Sequence, residues 1–275
     1  MTLYPKITIV TPSFNQGYYL ESTMISVLNQ DYPNLEYIVM DGGSTDGSVG
    51  IIKKYADRLS YWESNQDKGQ ADAIFRGFDR SKGDVLGWVN SDDLLLPGCL
   101  KKVGMYFADH PEKDYVVGGT VIIGADGNAL LSKLGYPAGN LGSRMTFNKL
   151  LMWGCGCNQP ATFWRREAFF SVAGFDQSLR FCFDYDMYFR LAKKHSSGRI
   201  KEFLACFRSH PLSKTSTISD IRDEENRLLW ERYGRAKYPR FLWFLMNRYY
   251  QLIWDIKTIF LQVQFMARLR PRPQA

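Results

Sequence analysis

Five aspartates stand where they could hold a divalent cation or move a proton. Asp41 follows one apolar, strand-like run, Asp92 and Asp93 follow another, and Asp184 and Asp186 open a later helical pattern. Carboxylate oxygens gathered at a cleft are the ligands that Mg2+ or Mn2+ requires, usually together with substrate phosphates. A single aspartate more often caps a helix or fills a turn. Two adjacent carboxylates after a buried strand repel one another unless a cation compensates them, so Asp92–Asp93 indicates a cation site.

The elements that would position these carboxylates alternate between strand and helix. Short β-branched runs predict strands, at 6–11 (stopped by Pro12), 36–40, 59–62 and 85–90. Apolar residues at helical spacing predict helices, at 18–30, from a cap at Ser44 or Thr45 through 55, at 70–80 and after Pro97. This rhythm is typical of an α/β fold with a doubly wound, mainly parallel sheet flanked by helices. Ligands bind such sheets at the carboxyl ends of the strands, where Asp41, Asp92 and Asp93 lie.

The second half of the chain is less regular. Residues 115–123 and 129–133 predict a β-hairpin around the turn Asp126-Gly127-Asn128. Helices are expected at 166–173 and 184–194 and a strand at 200–207, and the chain reads as helical from 218 onward with a break near Tyr238-Pro239.

A series of short motifs then resembles the family-2 glycosyltransferases of the GT-A fold. The motifs are Thr11-Pro12-Ser13-Phe14-Asn15, Ser26-Val27-Leu28-Asn29-Gln30, Asp41-Gly42-Gly43-Ser44-Thr45-Asp46, Asn90-Ser91-Asp92-Asp93, Gly174-Phe175-Asp176 and the helix start Asp184–Leu191. The resemblance covers roughly residues 5–216. It implies an inverting transferase that moves a sugar from a pyrimidine nucleotide sugar (UDP or dTDP) to a hydroxyl group of an acceptor glycan.

The resemblance also implies roles for residues on the nucleotide side. Thr11, Pro12 and Asn15 match the loop that borders the base. Asp41 matches the carboxylate that accepts a hydrogen bond from the pyrimidine N3–H, and an ionised carboxylate is indeed an acceptor only. The alternative for Asp41 is an Asx-turn that leads into the following glycines.

The matches continue at the start of the 70–80 helix and after the 85–90 strand. Gln70 and Asp72 match a helix start that faces the nucleotide or donor sugar, with ordinary helix capping as the alternative. Asp92 matches the ribose-side residue of the family's DXD-type motif, and Asp93 matches its ligand for Mn2+ or Mg2+. The first acid of a literal Asp-X-Asp is absent, since the segment reads Ser91-Asp92-Asp93.

The acceptor side carries the implied general base. Asp184 matches the aspartate of the family's Glu-Asp pair, whose glutamate is replaced by Phe183. Asp186 lies two residues on and cannot share the same helix face, so it is expected to serve structure or a contact to donor or acceptor. His210, in a stretch that resembles the family's Arg-x-His-x-x-Ser, can reach the metal or the diphosphate, or else lies in a solvated loop.

The charge of the chain is concentrated at its end. The net charge is +7, and residues 232–275 carry nine Lys/Arg and one acid, which gives +8 and leaves −1 for the rest. The same segment has apolar residues at helical spacing, so it predicts a basic amphipathic helix on an anionic membrane surface. The alternative is packing on the domain or on a second subunit, and a homo-oligomer stays open. Nucleic acid is a poor fit, because the basic residues are interleaved with a wide apolar stripe.

The expected organisation is a GT-A domain at 1–216 and a helical extension at 217–275. The GT-A domain divides into a nucleotide-binding half at 1–110 and an acceptor-binding half at 111–216. No signal peptide or membrane-spanning run is evident, and five cysteines without a framework indicate reduced thiols. We therefore expect a cytoplasmic protein, peripheral on the inner face of the membrane, that extends an envelope glycan or lipid-linked glycan.

Two other functions stay open. One is a catalytically silent nucleotide-sugar-binding or scaffold subunit that is recruited to the membrane by residues 232–275, here called the tail. The other is a metal-dependent nucleotidyltransferase, which would normally carry a Gly-rich, basic loop after the first strand; residues 11–17 lack one.

Overall fold

The structure is a computed structural model that describes residues 4–131, 138–153 and 159–234, together with Phe241, Phe244, Leu245, Arg248, Tyr249 and Leu252. Its strands are β1 (Ile7–Ser13), β2 (Leu35–Asp41), β3 (Tyr61–Ser64), β4 (Val85–Trp88), β5 (Leu94–Leu95), β6 (Tyr115–Ile123), β7 (Gly139–Asn140), β8 (Thr162–Arg165) and β9 (Ser197–Arg208). Its α-helices are α1 (Gly17–Leu28), α2 (Ser48–Lys54), α3 (Gln70–Arg80), α4 (Cys99–Asp109), α5 (Phe147–Trp153), α6 (Arg166–Ser171), α7 (Phe183–Lys194), α8 (Lys214–Thr217) and α9 (Ser219–Arg232).

The strands form one sheet in the order β3-β2-β1-β4-β8-β6-β9-β5, with β7 beside β6. The first four strands are mutually parallel. Beyond β4 the sheet is mixed, because β8 runs antiparallel to both β4 and β6 while β9 is parallel to β6. The carboxyl ends of β1, β2 and β4 therefore open at one edge, which confirms the predicted α/β architecture.

Hydrophobic cores cover both faces of the sheet. Ile9 and Val39 belong to one buried cluster, whereas their neighbours Val10 and Met40 belong to the other. Successive side chains of a strand point to opposite faces, and strands covered on both faces read as continuous apolar runs. Leu229 of α9 lies in the second cluster, so the packing of this core continues past residue 216.

Two local predictions at the carboxyl edge were wrong. Pro12 does not stop β1, which pairs with β2 as far as Ser13. The backbone polar groups of Val10 face β4, where its carbonyl accepts from the Val89 N–H. Pro12 lies two residues further along β1, so its backbone faces the same side. Since β4 ends opposite Val10, no partner strand requires the N–H that Pro12 lacks.

The second wrong boundary is the start of α2. The helix begins at Ser48, after Gly47 at φ +95°, and not at a cap on Ser44 or Thr45. Ser44 instead donates to Asp41 and accepts from Asn15, so this loop is committed to the strand ends and not to the helix.

In the second half, β6, α6, α7 and β9 follow predicted elements, the last three with shifted bounds, whereas β7, α5 and β8 were not predicted. Residues 132 and 133 of the predicted 129–133 strand lie outside the described residues. The 126–128 turn closes a hairpin that is joined by a bridge between Ile123 and Ala129. The strand β7 pairs with β6 over two residues, at Thr120 and Val121. Cys99, Cys182 and Cys206 are buried free thiols. Cys155, Cys157 and the break at Tyr238-Pro239 lie outside the described residues. Within the described part of the chain, no helix is long and apolar enough to cross a membrane.

Candidate active site

The end of β2 is held by the Asp41 carboxylate, which is 2% exposed. Its Oδ2 accepts from the backbone N–H of Gly43 (3.1 Å) and Ser44 (2.8 Å) and from the Ser64 hydroxyl (2.7 Å). Its Oδ1 accepts from the Ser44 hydroxyl at 2.5 Å. These bonds are an Asx-type turn of the kind raised as the alternative. Recognition of the base by Asp41 stays a prediction.

The three residues predicted to border the base differ in their exposure, and their role at the base stays a prediction. Thr11 and Pro12 are buried, and the Thr11 hydroxyl bonds the Tyr37 hydroxyl at 3.0 Å inside the fold. Asn15 is exposed at φ +51°, and its Oδ1 accepts from the Thr45 N–H at 2.9 Å. Asn15 therefore shapes the loop that Asp41 also holds.

Phe14 is a candidate that sequence reasoning missed. Its side chain is 62% exposed, and its ring edge lies 3.3 Å from where a Cβ on Gly42 would stand. An exposed ring beside the Asp41 turn offers a flat surface on which a base could stack. The signal available in the sequence was an aromatic residue inside a polar loop after a strand.

The start of α3 is joined to the end of β4 through amide groups. Gln70 Nε2 donates to Asn90 Oδ1 at 2.7 Å, and Asn90 Nδ2 donates to Gln159 Oε1 at 2.9 Å. Gln70 Oε1 accepts from Lys214 Nζ at 2.7 Å. Asn90 and Lys214 were not predicted as site residues. Asp72 accepts from the N–H of Lys68 at 3.2 Å, one residue before the N-cap Gly69, and its role toward the donor stays a prediction.

The adjacent carboxylates after β4 have different surroundings. Asp92 pairs with His210, whose Nε2 lies 3.0 Å from Asp92 Oδ2. The His210 ring also packs against Tyr19, with centroids 4.6 Å apart. His210 is therefore buried against the site, and the solvated-loop alternative does not describe it.

Asp93 points into the protein and is 1% exposed. Its Oδ1 accepts from the Arg208 N–H at 2.8 Å and its Oδ2 from Asn90 Nδ2 at 3.2 Å. Burial and the neighbouring charge of Asp92 raise the pKa of Asp93 well above its ordinary value. Both oxygens of Asp93 thus serve the packing of β9 against the β4 end, whereas Asp92 carries the carboxylate that meets His210.

Asp184 lies in the first turn of α7 and is half-buried. Its Oδ1 accepts from the Tyr185 N–H at 2.7 Å. Burial raises the pKa of Asp184 to about 6, although the Tyr185 N–H and the Lys214 charge pull it down. A carboxylate with this pKa is ionised at neutral pH yet basic enough to take a proton, which is the property of a general base.

Asp186 is committed to structure. Its Oδ2 pairs with Arg190 (2.7 Å), and its Oδ1 accepts from Arg232 (2.8 Å) and from the Tyr233 hydroxyl (2.7 Å). The residue is 1% exposed, and both of its oxygens are used in the contact between α7 and the end of α9; a contact of Asp186 to donor or acceptor stays a prediction.

Asp92 and His210 are neighbouring side chains of the types that ligate metal ions. Among the described residues, no group of three or more His, Cys, Asp or Glu side chains is arranged to hold a metal ion. Asp92 and His210 still fit a Mn2+ or Mg2+ ion, because such ions are commonly held by one or two protein ligands plus substrate phosphates.

Residues 8–172 match the profile of Glycosyl transferase family 2. This match covers more than half of the 275 residues, and the chain belongs to that family. The resemblance inferred from the motifs is thereby confirmed, and the protein is a glycosyltransferase by family.

Individual relatives agree with this assignment. The chain is 25% identical over 264 residues to an uncharacterized glycosyltransferase of Rickettsia typhi, covering 94% of this chain and 81% of the relative. It is 33% identical over 100 residues to the GalNAc(5)-diNAcBac-PP-undecaprenol beta-1,3-glucosyltransferase of Campylobacter jejuni, covering 35% of this chain and 32% of that enzyme. The structure of S. aureus TarS 1-349 in complex with UDP-GlcNAc shares the fold, with a TM-score of 0.62, 16% identity, and coverage of 77% of this chain and 61% of TarS.

Proposed function

We propose that this chain transfers a sugar from a UDP- or dTDP-sugar to a hydroxyl of an envelope glycan or lipid-linked glycan, with inversion at the anomeric carbon. The observation that carries the proposal is Asp184, a half-buried carboxylate with a pKa of about 6 at the start of α7. Lys214, whose charge lowers the pKa of Asp184, donates to Gln70. Gln70 in turn donates to Asn90 at the end of β4. The UDP-GlcNAc complex of TarS and the undecaprenol-linked acceptor in the Campylobacter enzyme's name support the substrate class.

The chemistry assigned to Asp184 is proton removal. A hydroxyl group is a weak nucleophile at neutral pH, and a positioned base that takes its proton accelerates attack on the anomeric carbon. Above about pH 6 Asp184 is ionised and ready to accept that proton. Direct attack opposite the leaving nucleotide inverts the centre and requires no covalent intermediate on the protein.

Asp92 and His210 are the residues that would hold a divalent cation. Their facing atoms, Oδ2 and Nε2, are 3.0 Å apart. When bound, the cation neutralises charge on the departing diphosphate. Asp93, the ligand expected from the resemblance, uses both oxygens internally, so we assign the ligand role to Asp92 and a supporting role to Asp93.

A thermal-shift experiment tests donor class and metal ligand together, because a ligand that binds the native state raises apparent stability. UDP-, dTDP- and GDP-sugars are compared with and without Mn2+. We expect a Mn2+-dependent shift with a pyrimidine nucleotide, its loss in Asp92→Asn, and its retention in Asp93→Asn and in the exposed control Asp57→Asn. A shift with GDP-sugar alone contradicts the donor assignment. Loss in Asp93→Asn with retention in Asp92→Asn returns the ligand role to Asp93.

We also propose that the tail places the enzyme on the inner face of an anionic membrane. The described apolar side chains of 241–252 are 47–71% exposed: Phe241, Phe244, Leu245, Tyr249 and Leu252. Apolar side chains beside basic ones suit a membrane interface, where each Lys or Arg contributes about 1 kcal/mol on anionic lipid.

Truncation after Lys237 tests the membrane proposal. The truncated chain should lose co-sedimentation with anionic vesicles and keep the donor thermal shift, and full-length protein should bind neutral vesicles weakly. Equal vesicle binding by both chains contradicts the proposal. If the full-length chain does not bind vesicles and truncation lowers the number of subunits per particle, the tail is assigned to subunit contact instead.

A further inference from the structure

Two charged side chains from other helices influence the ionisation of the proposed base, Asp184 on α7. They are Lys214 on α8 and Glu225 on α9, and the charges of Asp184 and Glu225 in turn affect Lys214. Neither Lys214 nor Glu225 belongs to a sequence motif that also contains Asp184. Glu225 also lies in the segment expected to be a separate extension.

Glu225 binds the backbone that leads into α7. Its carboxylate accepts from three consecutive N–H groups, of Arg180 (2.6 Å), Phe181 (2.9 Å) and Cys182 (2.7 Å). Cys182 is the N-cap of α7, and the other two N–H groups lie just before it. An anion at a helix N-terminus is favoured by the helix dipole. Because Asp184 is the second residue of α7, this contact fixes where the base begins its helix.

Lys214 reaches the site from the other side. Its Nζ donates to Gln70 Oε1 at 2.7 Å and lies 5.1 Å from the centre of the Phe183 ring. The ring that replaces the family's glutamate therefore packs beside a cation. Lys214 thus links the start of α3, on the nucleotide side, to the residue next to Asp184.

We propose that Lys214 and Glu225 are positioning residues for Asp184, which act on it with opposite charge from α8 and α9. This inference rests on the proposed function only in calling Asp184 the base. It makes α9 part of the catalytic apparatus and supplies from another helix the neighbouring carboxylate that Phe183 removes from the motif.

The electrostatic surroundings have a definite sign. Around Asp184, burial and the Glu225 charge raise its pKa, whereas the Tyr185 N–H and the Lys214 charge lower it. Burial lowers the pKa of Lys214 to about 8, with Arg180 acting in the same direction, while Asp184, Glu225 and Cys182 oppose that change. Loss of the lysine charge and loss of the glutamate charge should therefore move Asp184 in opposite directions.

The test is a 13C NMR titration of aspartate carboxyl groups in the full chain without substrate, with the Asp184 signal assigned by its absence in Asp184→Asn. Lys214→Gln should shift the Asp184 midpoint to higher pH, and Glu225→Gln should shift it to lower pH. Lys214→Arg, which keeps the charge, and Glu224→Gln, at the exposed neighbouring position, should leave it unchanged. A structural defect common to both variants would not produce shifts of opposite sign.

Two outcomes overturn the inference: midpoints that stay at the wild-type value, or midpoints that move in the same direction. If Glu225→Gln fails to fold, Lys214→Gln against Lys214→Arg still decides, because only the charge-removing variant should move the midpoint. The acidic limb of the turnover profile with a UDP-sugar is then compared with the NMR midpoint. A limb that ignores a shifted midpoint contradicts Asp184 as the base and leaves the positioning roles in place.

Discussion

Replacing Asp184 by asparagine should remove turnover and, at neutral pH, make the fold more stable. The folded chain holds Asp184 at a pKa of about 6, above the ordinary 3.8, chiefly because burial disfavours its charge. A group with a raised pKa binds more protons in the folded state than in the unfolded state between these two values. Stability therefore falls as the pH rises through that window. Asparagine resembles the protonated form and escapes this loss.

The size of the effect follows from the same shift. A change of about two pKa units corresponds to about 3 kcal/mol at about 1.4 kcal/mol per unit. Because Asp184 is only half-buried, water screens part of this cost, and we expect a gain of about 2 kcal/mol in the variant. The Tyr185 N–H that bonds Asp184 Oδ1 at 2.7 Å can bond the asparagine oxygen equally well, so no backbone contact is sacrificed.

Urea unfolding of both proteins across the pH range measures this difference. The free energies of unfolding should coincide near pH 4, diverge as the pH rises to about 6, and stay apart by about 2 kcal/mol above it. Donor thermal shifts should be the same in both proteins. A difference that is constant with pH, or a variant that is less stable at about pH 7.5, would refute the inference that burial disfavours the charged form of Asp184.

Other substitutions report on the supports of the site. Asp186→Ala should cost about 3 kcal/mol in urea unfolding, because it leaves Arg190 and Arg232 without their buried partner; Asp223→Ala, an exposed pair with Arg222, should change stability by less than about 1 kcal/mol, and equal losses would contradict the assignment. Gly77→Ala should cost about 1–3 kcal/mol, since its Cβ would lie 2.7 Å from Val10 Cγ1, whereas Gly50→Ala in α2 meets nothing within 4 Å and should gain up to about 1 kcal/mol. A stabilised Gly77→Ala variant would show that α3 and β1 are less closely packed.

The pattern of the sequence determined most of the elements of the first half and the sheet edge at which Asp41, Asp92 and Asp93 lie. Largely apolar strands such as 36–40 and 85–90 are typical of a sheet covered on both faces, and polar residues directly after parallel strands gather at one edge. The order of the motifs added the family. Local capping and turn chemistry was less readable: Ser44 could bond helix or strand end, and only the tertiary contact with Asp41 decided between them.

Only the tertiary structure decided which contacts each carboxylate makes. The sequence does not distinguish Asp92 from Asp93. In the structure their side chains point apart, so Asp92 contacts His210 and Asp93 is buried against Arg208. Likewise Asp184 and Asp186 share a helix turn, yet one keeps a raised pKa and the other is consumed by ion pairs. Glu225 is 43 residues from Cys182, whose N–H it accepts. Sequence periodicity reports only on neighbours along the chain, and these contacts arise when distant segments pack.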